Sequence, residues 1–330
     1  MRAVIMRRFG PPGVLEPAAV PSPVPGPGEV AVDVEFAGVT FVETQIRAGR
    51  PPRPEMLPEL PAILGNGVGG MVAETGDGVD PGLVGRRVVA SLNGTGGYAS
   101  RAVTDAARLL DVPGGVALRD AVALLADGRT ALSLAELAGL RAGDTVLVEA
   151  AAGGVGTLLV QLARNAGARV VGLARGERKL AIVRELGADV AVDYGDGDWP
   201  RLVGDAVSGV DVVFDGVGGE TGRVAFGLLR PGGRFCPFGM ASGSFAGVTG
   251  ELASARQVTV RAAFGADPAK LREFARTALA EAAAGRIRPV IGQEVELARA
   301  ADAHAAIEAR ATIGKTLLAV SSLLNRANRA

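Results

Sequence analysis

Residues 150–156 read Ala-Ala-Ala-Gly-Gly-Val-Gly. Ala151, Gly153 and Gly156 fit the spacing G-x-G-x-x-G, with alanine in the first place. In a dinucleotide site of this kind the backbone at Gly153 must approach a pyrophosphate, where a Cβ would intrude. At Gly156 a helix must sit close against a strand. Ala152 and Gly154 complete the turn, and amides at the start of the helix from Val155 would face the phosphates. A glycine turn with a purely structural role is the competing reading. The apolar run "TVLVEA" before the turn and the amphipathic segment "VGTLLVQLARNAG" after it favour the dinucleotide.

About 20 residues further on, an NAD site places an Asp or Glu on the ribose 2′-hydroxyl. This chain has "GLARGERK" there, with no acid at Leu173, Ala174 or Arg175. Arg175, Arg178 and Lys179 cluster instead, and Glu177 is the single acid of the stretch. Guanidinium and ammonium groups attract a 2′-phosphate that a carboxylate would repel. The cluster therefore predicts NADPH. A solvated basic turn at the start of a helix is the alternative.

Metal chemistry is narrowed by composition. The 330 residues include one cysteine and one histidine, so one chain cannot build a Cys₄ or Cys₂His zinc site, and no metal site is expected. Without a Lewis acid, simple alcohol oxidation is disfavoured. Hydride delivery to an already activated acceptor remains open, such as a quinone, an enone or enal, or an enoyl thioester. Charge then moves to an oxygen that hydrogen-bond donors can stabilise.

The elements that must hold these groups follow from the pattern. Lys+Arg and Asp+Glu are both 35, and no basic excess points to nucleic acid. The start "MRAVIMRRFG" has too short an apolar run for a signal peptide. The stretch "AVALLADGRTALSLAELAGL" is broken by Asp127, Arg129 and Glu136, so no membrane span is expected. A soluble cytoplasmic protein is the default expectation, and Cys236 has no intrachain disulfide partner.

Residues 1–122 read as short strands and turns forming a partly open β-barrel. "EVAVDVEFAGV" alternates as a half-buried strand should, and "GMVAETGDGV" and "GRRVVAS" supply two more. Residues 123–266 alternate strand and helix, from "TVLVEA" to a last strand "QVTVRAAF". That alternation predicts an α/β doubly wound parallel sheet. Residues 267–330 contain a helix "PAKLREFARTALAEAAAGRI", then a helix and strand in "RAADAHAAIEARATIGKTLLAV". They are expected to return to the first domain and to end in a frayed tail, "SSLLNRANRA".

With these segments in view, the chain resembles the medium-chain dehydrogenase/reductase superfamily. It is most similar to the zinc-independent quinone oxidoreductase (zeta-crystallin-like) branch. The resemblance rests on "GVTFVETQIRAG", "LPAILGNGVGGMV", "LLADGRTAL", "AAAGGVG", "ELGADVAVDY", "VVFDGVGG" and "AHAAIEARATIGK". It implies a GroES-like catalytic domain with an inserted Rossmann domain, NADPH in the cleft, and often a homodimer through the Rossmann sheet edge. By motif position, Lys179 and Tyr194 would contact the 2′-phosphate end and Thr130 the nicotinamide or ribose phosphates. Gly153, Gly154, Val155 and Gly156 would cradle the pyrophosphate, with Val217 and Gly218 at the cofactor edge.

The departures from the family pattern bear on the acceptor. Zinc-dependent relatives carry Cys near Thr40 and His-Glu near Asn66-Gly67. Quinone reductases of the branch usually have Asn at the place of Thr40, Tyr at Gln45 and Glu at Gly67. Thr40, Gln45 and Asp127 are the polar groups assigned to the acceptor end. Thr40 and Gln45 could donate hydrogen bonds, and Asp127 could orient a water or shuttle a proton. Each has a plainer alternative: Thr40 satisfying a strand end, Gln45 solvated, Asp127 capping a turn. His304, Cys236, Trp199 and Arg310 read as structural.

The function these observations support is NADPH-dependent reduction of a quinone or an α,β-unsaturated carbonyl, with a small molecule as partner. The changed acceptor positions motivate a second reading, a biosynthetic enoyl-thioester reductase or cyclase of the same fold. A third is a non-catalytic NADPH-binding protein, since fold and site are separable.

Overall fold

The computed structural model describes residues 1–92, 94–262 and 267–320. It divides into two compact units, residues 1–126 with 291–330 and residues 127–290.

The first unit contains β1 (Arg2–Met6), β2 (Leu15–Ala19), β3 (Glu29–Val39), α1 (Phe41–Arg47) and β4 (Ala62–Ile63). It continues with β5 (Gly67–Thr75), β6 (Arg87–Ser91), β7 (Arg101–Asp105) and β8 (Leu109–Asp111). Helix α2 (Leu118–Ala138) crosses the boundary at Asp127.

The second unit holds β9 (Thr145–Val148), α3 (Gly154–Asn165), β10 (Arg169–Ala174), α4 (Glu177–Glu185) and β11 (Val190–Asp193). After these come α5 (Trp199–Ala206), β12 (Val210–Asp215), α6 (Gly219–Gly227) and β13 (Leu229–Pro237). The unit closes with α7 (Gly250–Ala255), β14 (Thr259–Val260) and α8 (Pro268–Ala283). The chain then returns to the first unit through β15 (Ile291–Glu296), α9 (Ala300–Glu308) and β16 (Lys315–Ala319).

The second unit is the expected doubly wound sheet. Its strand order is β11-β10-β9-β12-β13-β14, and each neighbouring pair is parallel. Strand β9 is buried at all its positions because helices cover both faces, which is why "TVLV" does not alternate. Gly172 lets α4 approach, since a Cβ there would lie 2.3 Å from Val183 Cγ1. The core joins Leu147, Val171, Val213, Phe226 and Phe235, the last two edge-to-face at 5.4 Å. Truncating a buried leucine such as Leu147 to alanine costs about 2–5 kcal/mol.

In the first unit β3 pairs with β5, β7 and β16. Its periodicity predicts a half-buried strand, yet most of its residues are buried, because partners and helices enclose both faces. Asp33 is the exposed exception.

The C-terminal boundary differs from the one expected at residue 266. Helix α8 belongs to the second unit, and the return begins at Ile291. The segment after α8 is tied to α3. Gln161 Nε2 donates to Arg288 O and Gln161 Oε1 accepts from Arg288 N, each at 2.9 Å. Asn165 Nδ2 donates to Arg286 O at 2.8 Å. An amphipathic helix carries no sign of which core its apolar face will meet, so periodicity cannot decide this. Of the last strand expected in "QVTVRAAF", β14 covers Thr259–Val260, while residues 263–264 and the tail 321–330 lie outside the described residues.

Candidate functional site

The glycine turn joins β9 to α3. Gly156 is the position where space is tightest against backbone: a Cβ there would fall 2.3 Å from Ala150 O and 2.8 Å from Ala151 Cα. At Gly153, the N-cap of α3, the nearest atom to an added Cβ is Ala150 O at 3.1 Å. The first-glycine place is filled by Ala151 without strain, its amide donating to Leu173 O at 2.9 Å. The strained backbone lies one residue earlier, where Ala150 has φ 46°. Ala152 is buried beside it and Val155 is partly exposed.

Asp127 stands against this turn. A Cβ on Gly154 would meet Asp127 Oδ2 at 2.0 Å. A carboxylate near the start of a helix is favoured by the unpaired amides there. The neighbouring Arg129 is half-buried, its guanidinium pulled below the ordinary value by desolvation and partly restored by Asp127. Thr130 follows on the same helix, partly exposed.

At the end of β10, Arg175 lies over the Tyr194 ring, 5.2 Å from its centroid, a cation–π contact. Lys179 is on the first turn of α4, half-buried. Glu177 is engaged by Arg184. A second acid stands here that the sequence motifs do not single out. Asp193 closes β11, and its Oδ2 accepts from Gly176 N at 2.8 Å and its Oδ1 from Gly195 N at 2.7 Å. Both of its oxygens are thus bonded to backbone amides, while the two guanidiniums at 175 and 178 are exposed.

Val217 and Gly218 follow β12. Their amides point inward: Val217 N donates to Glu149 Oε2 at 3.1 Å and Asp215 Oδ1 at 3.2 Å, and Gly218 N to Asp215 Oδ1 at 2.6 Å. Gly218 has φ 69°, and a Cβ on it would meet Ser244 O at 2.1 Å, so this turn requires glycine.

The acceptor-end candidates Thr40 and Gln45 lie on the first unit. Thr40 is the N-cap of α1 in a reciprocal capping box: its Oγ1 accepts from Glu43 N at 3.4 Å and its own amide donates to Glu43 Oε2 at 2.7 Å. Thr40 thus caps a helix, where the plainer alternative has it satisfying a strand end, and its O–H remains a donor. Gln45 Nε2 donates to Thr44 Oγ1 at 3.2 Å, and its side chain is partly exposed.

Sequence reasoning passed over Glu43. This buried carboxyl also accepts from Asn66 N at 2.8 Å and from Tyr98 Oη at 3.1 Å. Burial raises its pKa. The Thr40 amide, the Lys315 charge, the Asn66 amide and the Tyr98 hydroxyl oppose the rise. Tyr98 Oη is also 2.9 Å from His304 Nε2, with the rings edge-to-face. Burial and the charge of Arg47 depress His304 to about 3, so it is neutral and packs α9 as expected. The Thr-Phe-Val-Glu spacing at 40–43 is a capping-box signal that could have found Glu43. Cys236 is buried and its thiol is pushed up to about 12 by desolvation, in keeping with an inert core residue.

Residues 154–281 match the family model described as zinc-binding dehydrogenase, and residues 26–114 that described as alcohol dehydrogenase GroES-like domain. The chain is 33% identical over 332 residues to a 2-haloacrylate reductase from Burkholderia sp, covering 96% of this chain and 98% of the relative. It is 33% identical over 318 residues to a quinone oxidoreductase from Pseudomonas aeruginosa, covering 94% and 97%. A mycobacterial protein solved in complex with NADPH superposes with a TM-score of 0.86 at 33% identity, covering 97% of this chain and all (100%) of that one. Among the described residues no group of three or more His, Cys, Asp or Glu is placed to hold a metal ion, and no helix is long and apolar enough to cross a membrane.

Proposed function

This chain belongs to the medium-chain dehydrogenase/reductase superfamily, in its zinc-independent quinone oxidoreductase branch, and from that premise we propose the roles of its residues. It is an oxidoreductase that uses NADPH to reduce a quinone or an α,β-unsaturated carbonyl. The observation that carries the cofactor assignment is the end of β10. Arg175 is braced on Tyr194, Lys179 is nearby, and the two acids of the region are already engaged, Glu177 by Arg184 and Asp193 by two amides. Such a surface attracts a 2′-phosphate, and the Asp193 carboxylate is oriented by the Gly176 and Gly195 amides.

The turn also fits a dinucleotide. Gly156 brings α3 onto the turn backbone in a way no side chain permits, which leaves the N-terminus of a twelve-residue helix to face phosphates. We assign Ala152, Gly153, Gly154, Val155 and Gly156 to the pyrophosphate, Arg175, Lys179 and Tyr194 to the 2′-phosphate end, and Thr130, Val217 and Gly218 to the nicotinamide half. The amides of Val217 and Gly218 point inward, and their carbonyls accept from Ser242 N at 2.8 Å and Gly222 N at 3.0 Å, so each carbonyl keeps one lone pair for that contact. Bound NADPH supplies the hydride. Thr40 donates its O–H, and Gln45 its amide, to the acceptor oxygen on which charge develops. Asp127 stands at the glycine turn, and its assigned role is to orient a water or shuttle a proton.

The likeness to a 2-haloacrylate reductase supports including unsaturated acids among the acceptors, beside quinones and enones. The reading extends to a homodimer through the open edge at β14, whose two residues are exposed, and to the cytoplasm. Light scattering and cell fractionation test these two points.

The direct test is NADPH oxidation by purified protein over a panel of quinones, enals, enones and unsaturated acids. NADPH bound without turnover on the whole panel would return the protein to the non-catalytic reading. Activity confined to carrier-bound enoyl thioesters would favour the biosynthetic one. Arg175→Ala with Lys179→Ala is expected to raise KM for NADPH at least about tenfold, with the value for NADH little changed, because charge-assisted bonds are worth about 1.5–3 kcal/mol. Equal effects on both cofactors would sink the 2′-phosphate assignment.

A further inference from the structure

In the sheet order β11-β10-β9-β12-β13-β14, the winding direction reverses between β9 and β12, the place where doubly wound sheets bind ligands. Glu149 follows β9 and Asp215 ends β12, and neither has any solvent exposure. Glu149 N donates to Phe214 O at 3.0 Å, which locks the two strand ends together. Glu149 Oε2 and Asp215 Oδ1 accept from the same amide, that of Val217. Glu149 Oε1 and Asp215 Oδ2 are buried with no protein donor. Gly222 on α6 leaves room for the pair: a Cβ there would lie 2.6 Å from Asp215 Oδ2.

Two ionised carboxylates so placed would put like charges in an apolar interior, with the amides of Val217 and Gly218 as their donors. That arrangement is unfavourable. One proton removes a charge and turns one orphan oxygen into a donor for the other carboxyl. We propose that Glu149 and Asp215 share a single proton, and that the pair acts as a positioning device which sets the Val217–Gly218 turn for the cofactor. The second half rests on the NADPH reading above.

The groups that bear on Glu149 agree with this. Burial first, and then the adjacent Asp215 carboxyl, hold its carboxyl well above the usual range, and the Val217 amide opposes them. Ionising the pair restores the repulsion and loosens the carboxyl that holds Gly218 N. The cofactor should then bind less tightly at alkaline pH, with hydride transfer itself little altered.

Two measurements test the two halves separately. Infrared difference spectra of wild type against Glu149→Gln should show a protonated-carboxyl band in the wild type that fades on alkaline titration. No such band overturns the shared proton. Fluorescence titration should show Kd for NADPH rising about tenfold across the same pH range, since a turn amide that loses its acceptor costs about that factor. Glu149→Ala should raise Kd about tenfold at neutral pH and raise KM for NADPH without a matching fall in kcat. Glu149→Gln, which can still accept from Val217 N and donate to Asp215, should recover most of the loss and remove the alkaline rise. Circular dichroism confirms that each variant is folded. A band that fades while Kd stays flat overturns the positioning role. A wild type that binds no NADPH at any pH sinks the cofactor reading and, with it, the positioning role, while the band still decides the shared proton.

Discussion

Glu43 in the first unit and Glu149 with Asp215 in the second are all buried carboxyls, but they are satisfied in opposite ways. Glu43 stands alone among donors: two backbone amides, the Tyr98 hydroxyl and the charge of Lys315 act on it. Glu149 has a second carboxyl as its main neighbour and one amide in its favour. The first arrangement holds three separate segments of chain on one side chain. The second has more acceptors than donors and calls for a proton. Burial alone therefore says little about what a carboxyl does; the balance of donors around it decides.

The largest effect should come from removing the donor-rich carboxyl. Glu43→Ala leaves Thr40 N, Asn66 N and Tyr98 Oη without their acceptor, at about 1–3 kcal/mol for each group that stays buried. Urea unfolding should show a loss of at least about 3 kcal/mol on that basis. A loss below about 1 kcal/mol would break the comparison, because Glu43 would then be holding nothing together.

Stability against pH should separate the two regions next. Glu149 has a raised value in the fold, so its contribution is intact below the unfolded carboxyl range and is lost as pH rises through the folded value. The slope is up to about 1.4 kcal/mol per pH unit. Glu149→Gln should remove that alkaline limb and leave the weaker one from Glu43, which shifts in the same direction. His304 in the first unit behaves in the opposite sense. Its folded value is depressed from 6.5 to about 3, so its contribution is full above the unfolded value and is lost as pH falls toward the folded one. His304→Gln should flatten that acid limb. Thermal melts across pH check both, and a profile unchanged by either substitution would contradict the assignment.

The smallest change expected is Tyr98→Phe, at about 1–2 kcal/mol in the same unfolding assay. It removes one of Glu43's donors and the partner of His304 Nε2 but leaves both amide bonds in place. A cost equal to that of Glu43→Ala would mean that the tyrosine, and not the carboxyl, organises the region.

Much of the second unit was legible in advance, because its signals are local. The apolar run at Thr145–Val148, the glycines at 153 and 156 and the basic cluster at 175–179 each lie within a few residues of chain, and their spacing carries the physics. The fate of α8 was not legible, since its partner Glu136 stands far away in sequence, reached by Lys270 at 3.4 Å. Neither was the position of Asp127 against Gly154, which depends on how α2 meets the glycine turn.

The sequence by itself determined the alternation of strands and helices, the glycine turn after β9, the basic cluster after β10 and the exclusion of a cysteine–histidine zinc site. These follow from backbone sterics, periodicity and composition, which act over short stretches. Only the tertiary structure brought Glu149 beside Asp215 and Tyr98 between Glu43 and His304, across 66, 55 and 206 residues of separation respectively. No local rule reports such distances. A carboxyl's protonation is set by the charges and donors that folding packs around it, and those arrive from elsewhere in the chain.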